Sequence, residues 1–206
     1  MAITKNIFEK KWNFFAGVGN INQIPPKRNP EVAFIGASNA GKSTIINRLV
    51  EQKIAVTSST PGRTQQLNFF SIDSEDPNQL IIVDMPGYGY AKASKKSISH
   101  WQKVAIEYLT NRINLKRVFV LVDPIRGLKE SDFELFNSLS AVGASFQIIL
   151  TKIDKATREE LAISEAKINK QVANFASLYP KILKTSALRG DGISELQSAI
   201  IEILTF

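Results

Sequence analysis

The stretch Gly36-Ala37-Ser38-Asn39-Ala40-Gly41-Lys42-Ser43 constrains this chain more than any other. It fits the pattern G-x-x-x-x-G-K-[ST], and its surroundings fit as well. Residues 31–35 ahead of it, apolar from Val32 on, predict a short buried strand, and residues 44–50 behind it predict a helix. A tight loop between strand and helix turns several backbone N–H groups into one concavity, at the positive end of a helix dipole. Such a concavity accepts phosphate oxygens. The glycines let the backbone approach closely, Lys42 reaches the β- and γ-phosphates, and the Ser43 hydroxyl can ligate Mg²⁺.

The rest of the chain predicts an α/β fold of the P-loop NTPase type. Residues 67–72 and 79–85 read as strands. The turn 73–78 between them is too short for a parallel crossover, so they should form an antiparallel hairpin. After a loop over 88–99, Ile98, Trp101, Ala105, Tyr108 and Leu109 recur at helical spacing to about Ile113. Strands follow at 117–123, 144–151 and 181–185, alternating with helices at 130–140, after an N-capping Thr157, and from Ile193 on. The expected sheet is mostly parallel, of about six strands with one antiparallel edge strand, and carries helices on both faces. At 206 residues one domain over 30–206 is expected, preceded by a lead-in over 1–29. In that lead-in Ile7, Phe8, Trp12, Phe14 and Phe15 lie among Lys5, Lys10 and Lys11. This reads as a short amphipathic helix packed on the domain, or alternatively as a membrane-surface or partner-binding element. Pro25, Pro26 and Pro30 then favour an extended approach to the first core strand.

Composition narrows the setting. There is no cysteine, which excludes disulfides and thiolate metal sites and fits a reducing cytoplasm. No apolar run approaches the roughly 20 residues of a membrane span, and the first ten residues do not read as a signal peptide. The net charge of +7 serves solubility or a polyanionic partner.

Further motifs supply metal, switching and base choice. Asp84-Met85-Pro86-Gly87 closes a predicted strand. Asp84 can hold a magnesium ion through water, and the Gly87 N–H can face the γ-phosphate. Thr151-Lys152-Ile153-Asp154 ends a later strand, where open α/β sheets bind ligands. A carboxylate at Asp154 accepts two hydrogen bonds from the N1–H and N2 amino group of guanine. Adenine offers neither donor, so GTP is expected over ATP. The Lys152 stem can lie along the base, and the backbone of Thr185-Ser186-Ala187 can reach the guanine O6. Residues 57–66 are rich in small hydroxylated residues with a Pro61-Gly62 step, a mobile loop in which Thr64 is the candidate second metal ligand. Thr57, Ser58, Ser59 and Thr60 compete for that role.

Together, Gly36–Ser43, Thr64, Asp84–Gly87, Thr151–Asp154 and Thr185–Ala187 resemble the five G motifs of the translation-factor-related GTPases. The runs Ser38–Ser43, Thr60–Gln65 and Pro86-Gly87-Tyr88-Gly89-Tyr90-Ala91-Lys92 resemble in particular the EngB family, also called YihA or YsxC. Ala37 departs from the Arg or Lys usual there. The resemblance implies a G domain that binds and hydrolyses GTP with Mg²⁺, and nucleotide contacts that include Gly62, Arg63, Gln65 and Gln66. Lys42, Thr64 and Gly87 would be the catalytic set. It also implies a bacterial factor for assembly of the large ribosomal subunit, with a link to cell division and septation. In GTPases similar to this one an Asn at the position of Asn39 can ligate K⁺.

Tyr88 stands where many small GTPases place a water-orienting Gln, so intrinsic hydrolysis should be slow. Arg63 is a candidate charge stabiliser or RNA contact, and His100 reads as structural. Lys92, Lys95 and Lys96, with Tyr88 and Tyr90 as stacking faces, would suit structured RNA of a ribosomal precursor. The protein is expected to be a cytoplasmic monomer without stable membrane insertion. A small-molecule kinase and a membrane-associated GTPase are the rival readings.

Overall fold

The computed structural model describes residues 7–57, 66–72, 79–88 and 95–204, with the backbone alone for 95–102. Among them, strands β1 (Asn13–Val18), β2 (Glu31–Gly36), β3 (Leu67–Ser71), β4 (Ile81–Asp84), β5 (Leu115–Val122), β6 (Phe146–Leu150) and β7 (Leu183–Lys184) form one sheet. Its order is β1-β3-β4-β2-β5-β6-β7. Pairings from β4 through β7 are parallel, whereas β3 runs antiparallel to both β1 and β4. Helices α1 (Lys42–Leu49), α2 (Lys95–Asn111), α3 (Glu130–Ala141), α4 (Arg158–Val172) and α5 (Ile193–Leu204) complete the alternation.

Strand pleating decides which helix each residue meets. In β2, Val32 and Phe34 pack toward α1 and α5, while Ala33 and Ile35 pack toward α2, α3 and α4. Both faces are thus apolar, as a parallel sheet covered on both sides requires. Phe34 stacks on Phe119 of β5 at 5.2 Å between ring centroids. Thr157 caps α4 as expected: its hydroxyl accepts from the Glu160 N–H at 3.2 Å, and the Glu160 carboxylate accepts from the Thr157 N–H at 2.8 Å.

The lead-in differs from its expected helix. Residues 13–18 are instead the outermost strand, so β3 of the hairpin lies inside the sheet rather than at its edge. The run Asn13-Phe14-Phe15-Ala16-Gly17-Val18 carries aromatics on both faces. A bulge between Phe14 and Ala16 breaks the two-residue alternation that would have revealed it. Phe8 and Trp12, candidates for a membrane surface, are buried and stacked at 6.3 Å. The Trp12 indole N–H donates to Ile7 O at 3.1 Å. No helix among the described residues is long and apolar enough to cross a membrane.

One buried ion pair ties three segments together. Glu31, the first residue of β2, is fully buried and pairs with Arg112 just beyond α2. Its carboxylate also accepts from Arg112 Nε at 2.9 Å and from the Tyr108 hydroxyl at 2.8 Å. Arg112 Nη1 donates to Pro25 O at 2.6 Å, which fastens the proline-rich approach to the end of α2.

Candidate functional site

Because β2, β4, β5, β6 and β7 are parallel, their carboxyl ends share one edge, and the predicted motifs hang from it. β2 ends at Gly36 and opens into the loop before α1. Asn39 and Gly41 take left-handed backbone there, with φ of 63° and 91°. Gly pays no steric penalty in that region, and Asn tolerates it better than most side chains. The loop is braced from across the sheet. The Thr151 hydroxyl donates to Ala40 O at 2.9 Å, and the Lys152 ammonium donates to Asn39 O at 2.7 Å.

Lys42 and Ser43, the first residues of α1, converge on Asp84 at the end of β4. The Lys42 ammonium forms an ion pair with Oδ1, and the Ser43 hydroxyl donates to Oδ2 at 3.4 Å. Asp84 is almost wholly buried, and burial pushes its carboxyl pKa up while Lys42 and Ser43 pull against it. Met85 N–H donates to Phe34 O at 3.0 Å, continuing the ladder, and Pro86 is buried beside it. Gly87 presses on the loop. A Cβ there would stand 3.2 Å from Gly36 O and 3.3 Å from Ser38 N, closer than most contacts of real Cβ atoms.

At the other end of the edge, Asp154 lies in the single turn Ile153–Lys155. The Ser186 hydroxyl donates to its Oδ1 at 2.6 Å and holds the carboxyl pKa below the usual range. Ser186 is itself buried. The Ile153 N–H donates to Thr185 O at 3.3 Å, and the Thr185 hydroxyl donates to Leu150 O at 3.2 Å, so the two loops are stitched to each other. The Ser186 N–H is taken up by Asp191 O at 2.9 Å, which leaves Ala187 as the candidate amide for the guanine O6.

Asp123 was not singled out from sequence. It follows β5 on the same edge, and its Oδ2 takes the Lys152 ammonium at 3.2 Å. A carboxylate at the carboxyl end of a parallel strand was the available signal. Tyr88 corrects an expectation. Its ring is buried and its hydroxyl donates to Asp132 Oδ1 at 2.5 Å, so it is not a stacking face for an RNA base. Gln66 donates to Asn68 Oδ1 at 3.1 Å and lies over Gly17 of β1, not with the loop before α1. Thr57 is exposed. Gly62, Arg63, Thr64 and Gln65, with Ser58, Ser59, Thr60, Tyr90 and Lys92, lie outside the described residues, as do the side chains of Lys95, Lys96 and His100.

The fold and the motifs along this edge define a P-loop GTPase, an enzyme that hydrolyses GTP. The family of 50S ribosome-binding GTPases matches residues 31–152. The EngB GTP-binding protein of Rhizobium etli is 46% identical, over 96% of this chain and 94% of that protein. That of Bartonella quintana is 44% identical, over 96% and 95% respectively. The chain belongs to the EngB family of GTP-binding proteins. Among solved structures, Era in complex with MgGDPNP and part of 16S ribosomal RNA matches with a TM-score of 0.68 and 25% identity. That match covers 85% of this chain and 57% of that one.

Proposed function

We propose that this GTPase is a nucleotide-dependent switch in assembly of the large ribosomal subunit, acting in the cytoplasm as a monomer, with a part in cell division and septation. The observation that carries the reading is the match to 50S ribosome-binding GTPases across the loop before α1, Asp84 and Lys152. The basic balance of the chain and the RNA held by the structurally similar Era support it. A single G domain does the work, and residues 13–18 of the lead-in to it belong to its sheet as β1.

In this reading residues 36–43 cradle the phosphates and Lys42 neutralises charge on the β- and γ-oxygens. The Gly87 N–H meets the γ-phosphate. Ser43, Thr64 and, through water, Asp84 hold Mg²⁺, which supplies charge stabilisation on the phosphates when bound. The donors present fit that ion: the Ser43 hydroxyl and the Asp84 carboxylate lie within 3.4 Å of each other, and Mg²⁺ takes one or two such protein oxygens and leaves its other positions to water and phosphate. Asp154 reads the guanine N1–H and N2 amino group, Lys152 lies along the base, and Ala187 meets O6. Gly62, Arg63 and Gln65 belong to the first switch with Thr64. Tyr88 carries no amide to orient the attacking water, so unassisted hydrolysis is slow. The Asp154 carboxylate, to which adenine offers no donor, argues against a kinase using ATP.

Asn39 is the proposed K⁺ ligand. Hydrolysis should run faster in KCl than in NaCl at equal ionic strength, and Asn39→Ala should erase the difference. Full replacement of an arginine finger would be worth about 10³–10⁵ in rate. Equal rates in the two salts would remove the potassium site.

The function is tested by co-sedimentation with large-subunit precursors. Binding should be stronger with a non-hydrolysable GTP analogue than with GDP. It should weaken by roughly 0.7–0.9 log units per tenfold salt for each phosphate neutralised. Replacing Lys92, Lys95 and Lys96 together by Ala should flatten that slope and leave GTP affinity nearly intact. Equal binding in the two nucleotide states would defeat the switch reading.

A further inference from the structure

Tyr88 occupies the first position after Asp84-Met85-Pro86-Gly87, and both its backbone and its side chain are engaged. Its N–H donates to Gly36 O at 3.4 Å, and it forms a parallel bridge with Ala37. Its ring reaches the start of α3, where Asp132 is buried with zero exposure. That carboxylate gathers donors on both oxygens. The Tyr88 hydroxyl meets Oδ1 at 2.5 Å and Arg126 Nη1 meets Oδ1 at 3.4 Å. Arg126 Nη2 meets Oδ2 at 2.8 Å and the Lys129 N–H meets Oδ2 at 2.7 Å. Arg126 is set in turn by Asp123, whose Oδ1 accepts from the Ile125 and Arg126 N–H groups at 3.1 and 3.4 Å.

Capping α3 would explain only the bond from Lys129. A carboxylate with no exposure, held by a guanidinium and aimed at a tyrosine hydroxyl, does more. Burial and the Asp132 charge push the Tyr88 hydroxyl pKa up, so it remains a donor. We infer that Asp132, held by Arg126, is a positioning residue for the γ-phosphate: it clamps Tyr88 and thereby fixes the Gly87 N–H against the loop before α1. The inference rests on the reading that Gly87 meets the γ-phosphate. Asp132 touches no nucleotide atom in this scheme. It acts through Tyr88 and so discriminates GTP from GDP without touching either.

The test compares GDP and a non-hydrolysable GTP analogue on three variants of the full chain. Tyr88→Phe keeps the buried ring and removes only the hydroxyl. It should leave GDP affinity within about twofold. Affinity for the GTP analogue should fall about tenfold, the order expected for one hydrogen bond to a charged group. Single-turnover hydrolysis should slow with it. Arg126→Ala, at a partly exposed side chain, should move the same ratio in the same direction. A merely structural bond would lower the melting temperature and weaken both nucleotides alike, and that outcome overturns the inference. Gly87→Ala separates the two layers of the argument. If Gly87→Ala loses analogue affinity and Tyr88→Phe does not, the clamp is wrong and the γ-phosphate reading stands. If neither variant changes the ratio, both are wrong.

Discussion

Asp154→Asn should turn the protein from guanine toward xanthine nucleotides. The Asp154 carboxylate is presented by a short turn after β6 and steadied by the buried Ser186 hydroxyl at 2.6 Å. An ionised carboxylate accepts from both the N1–H and N2 amino group of guanine. The amide of Asn keeps one acceptor and places a donor where guanine offers another donor. Losing such a charge-assisted pair costs roughly 3 kcal/mol, a factor on the order of 10² in affinity. Xanthine carries an oxygen at position 2, which accepts from the Asn amide. Competition binding with GDP and XDP reads the result directly. A variant that keeps the parent's preference for GDP would show that Asp154 does not read the base. The substitution is nearly isosteric, so the melting temperature should hardly move.

Arg112→Ala should be among the most damaging single changes in the chain. It would leave the Glu31 carboxylate buried with the Tyr108 hydroxyl but without its counter-charge, and strip Pro25 O of its donor. Breaking a buried pair by removing one partner costs about 3–5 kcal/mol, against a total stability of about 5–15. Urea unfolding should show a fall of that size in free energy. The pair Glu31→Gln with Arg112→Met should recover part of it, because no unpaired charge is then enclosed. A loss of less than about 1 kcal/mol for Arg112→Ala would mean that water reaches Glu31 once the guanidinium is gone.

Local rules made the centre of the molecule readable. The loop over 36–43 announces itself by spacing, and the six-residue turn over 73–78 forbids anything but a hairpin. Thr157 and Glu160 spell a helix start that the structure reproduces. Contacts distant in sequence were not readable. The bulge in β1 hides its alternation, and a strand beside β3 is decided by pairing between residues as far apart in sequence as Asn13 and Ser71. Nothing near Glu31 signals that its partner is Arg112. In the sequence Tyr88 reads as a residue without a side-chain amide and as a stacking aromatic, and only the fold brings its hydroxyl to Asp132. At the site, the residue types were legible and the braces between them were not: Lys152 to Asn39, Thr151 to Ala40, Ser186 to Asp154.

Those braces also set a timetable. The loop proposed to hold phosphate is made early in the chain, yet its carbonyls at Asn39 and Ala40 are held by side chains 113 and 111 residues later. The Ser186 hydroxyl that steadies Asp154 comes 32 residues after that carboxylate, and Gln197 of α5 reaches back to Leu49 O across 148 residues. Chains fold from the N-terminus as they are synthesised, at about 5–20 residues per second, and contacts this distant in sequence form late. A nascent chain therefore makes residues 36–43 on the order of ten seconds before the side chains that brace them, and the Asp154 carboxylate waits in turn for the serine that steadies it.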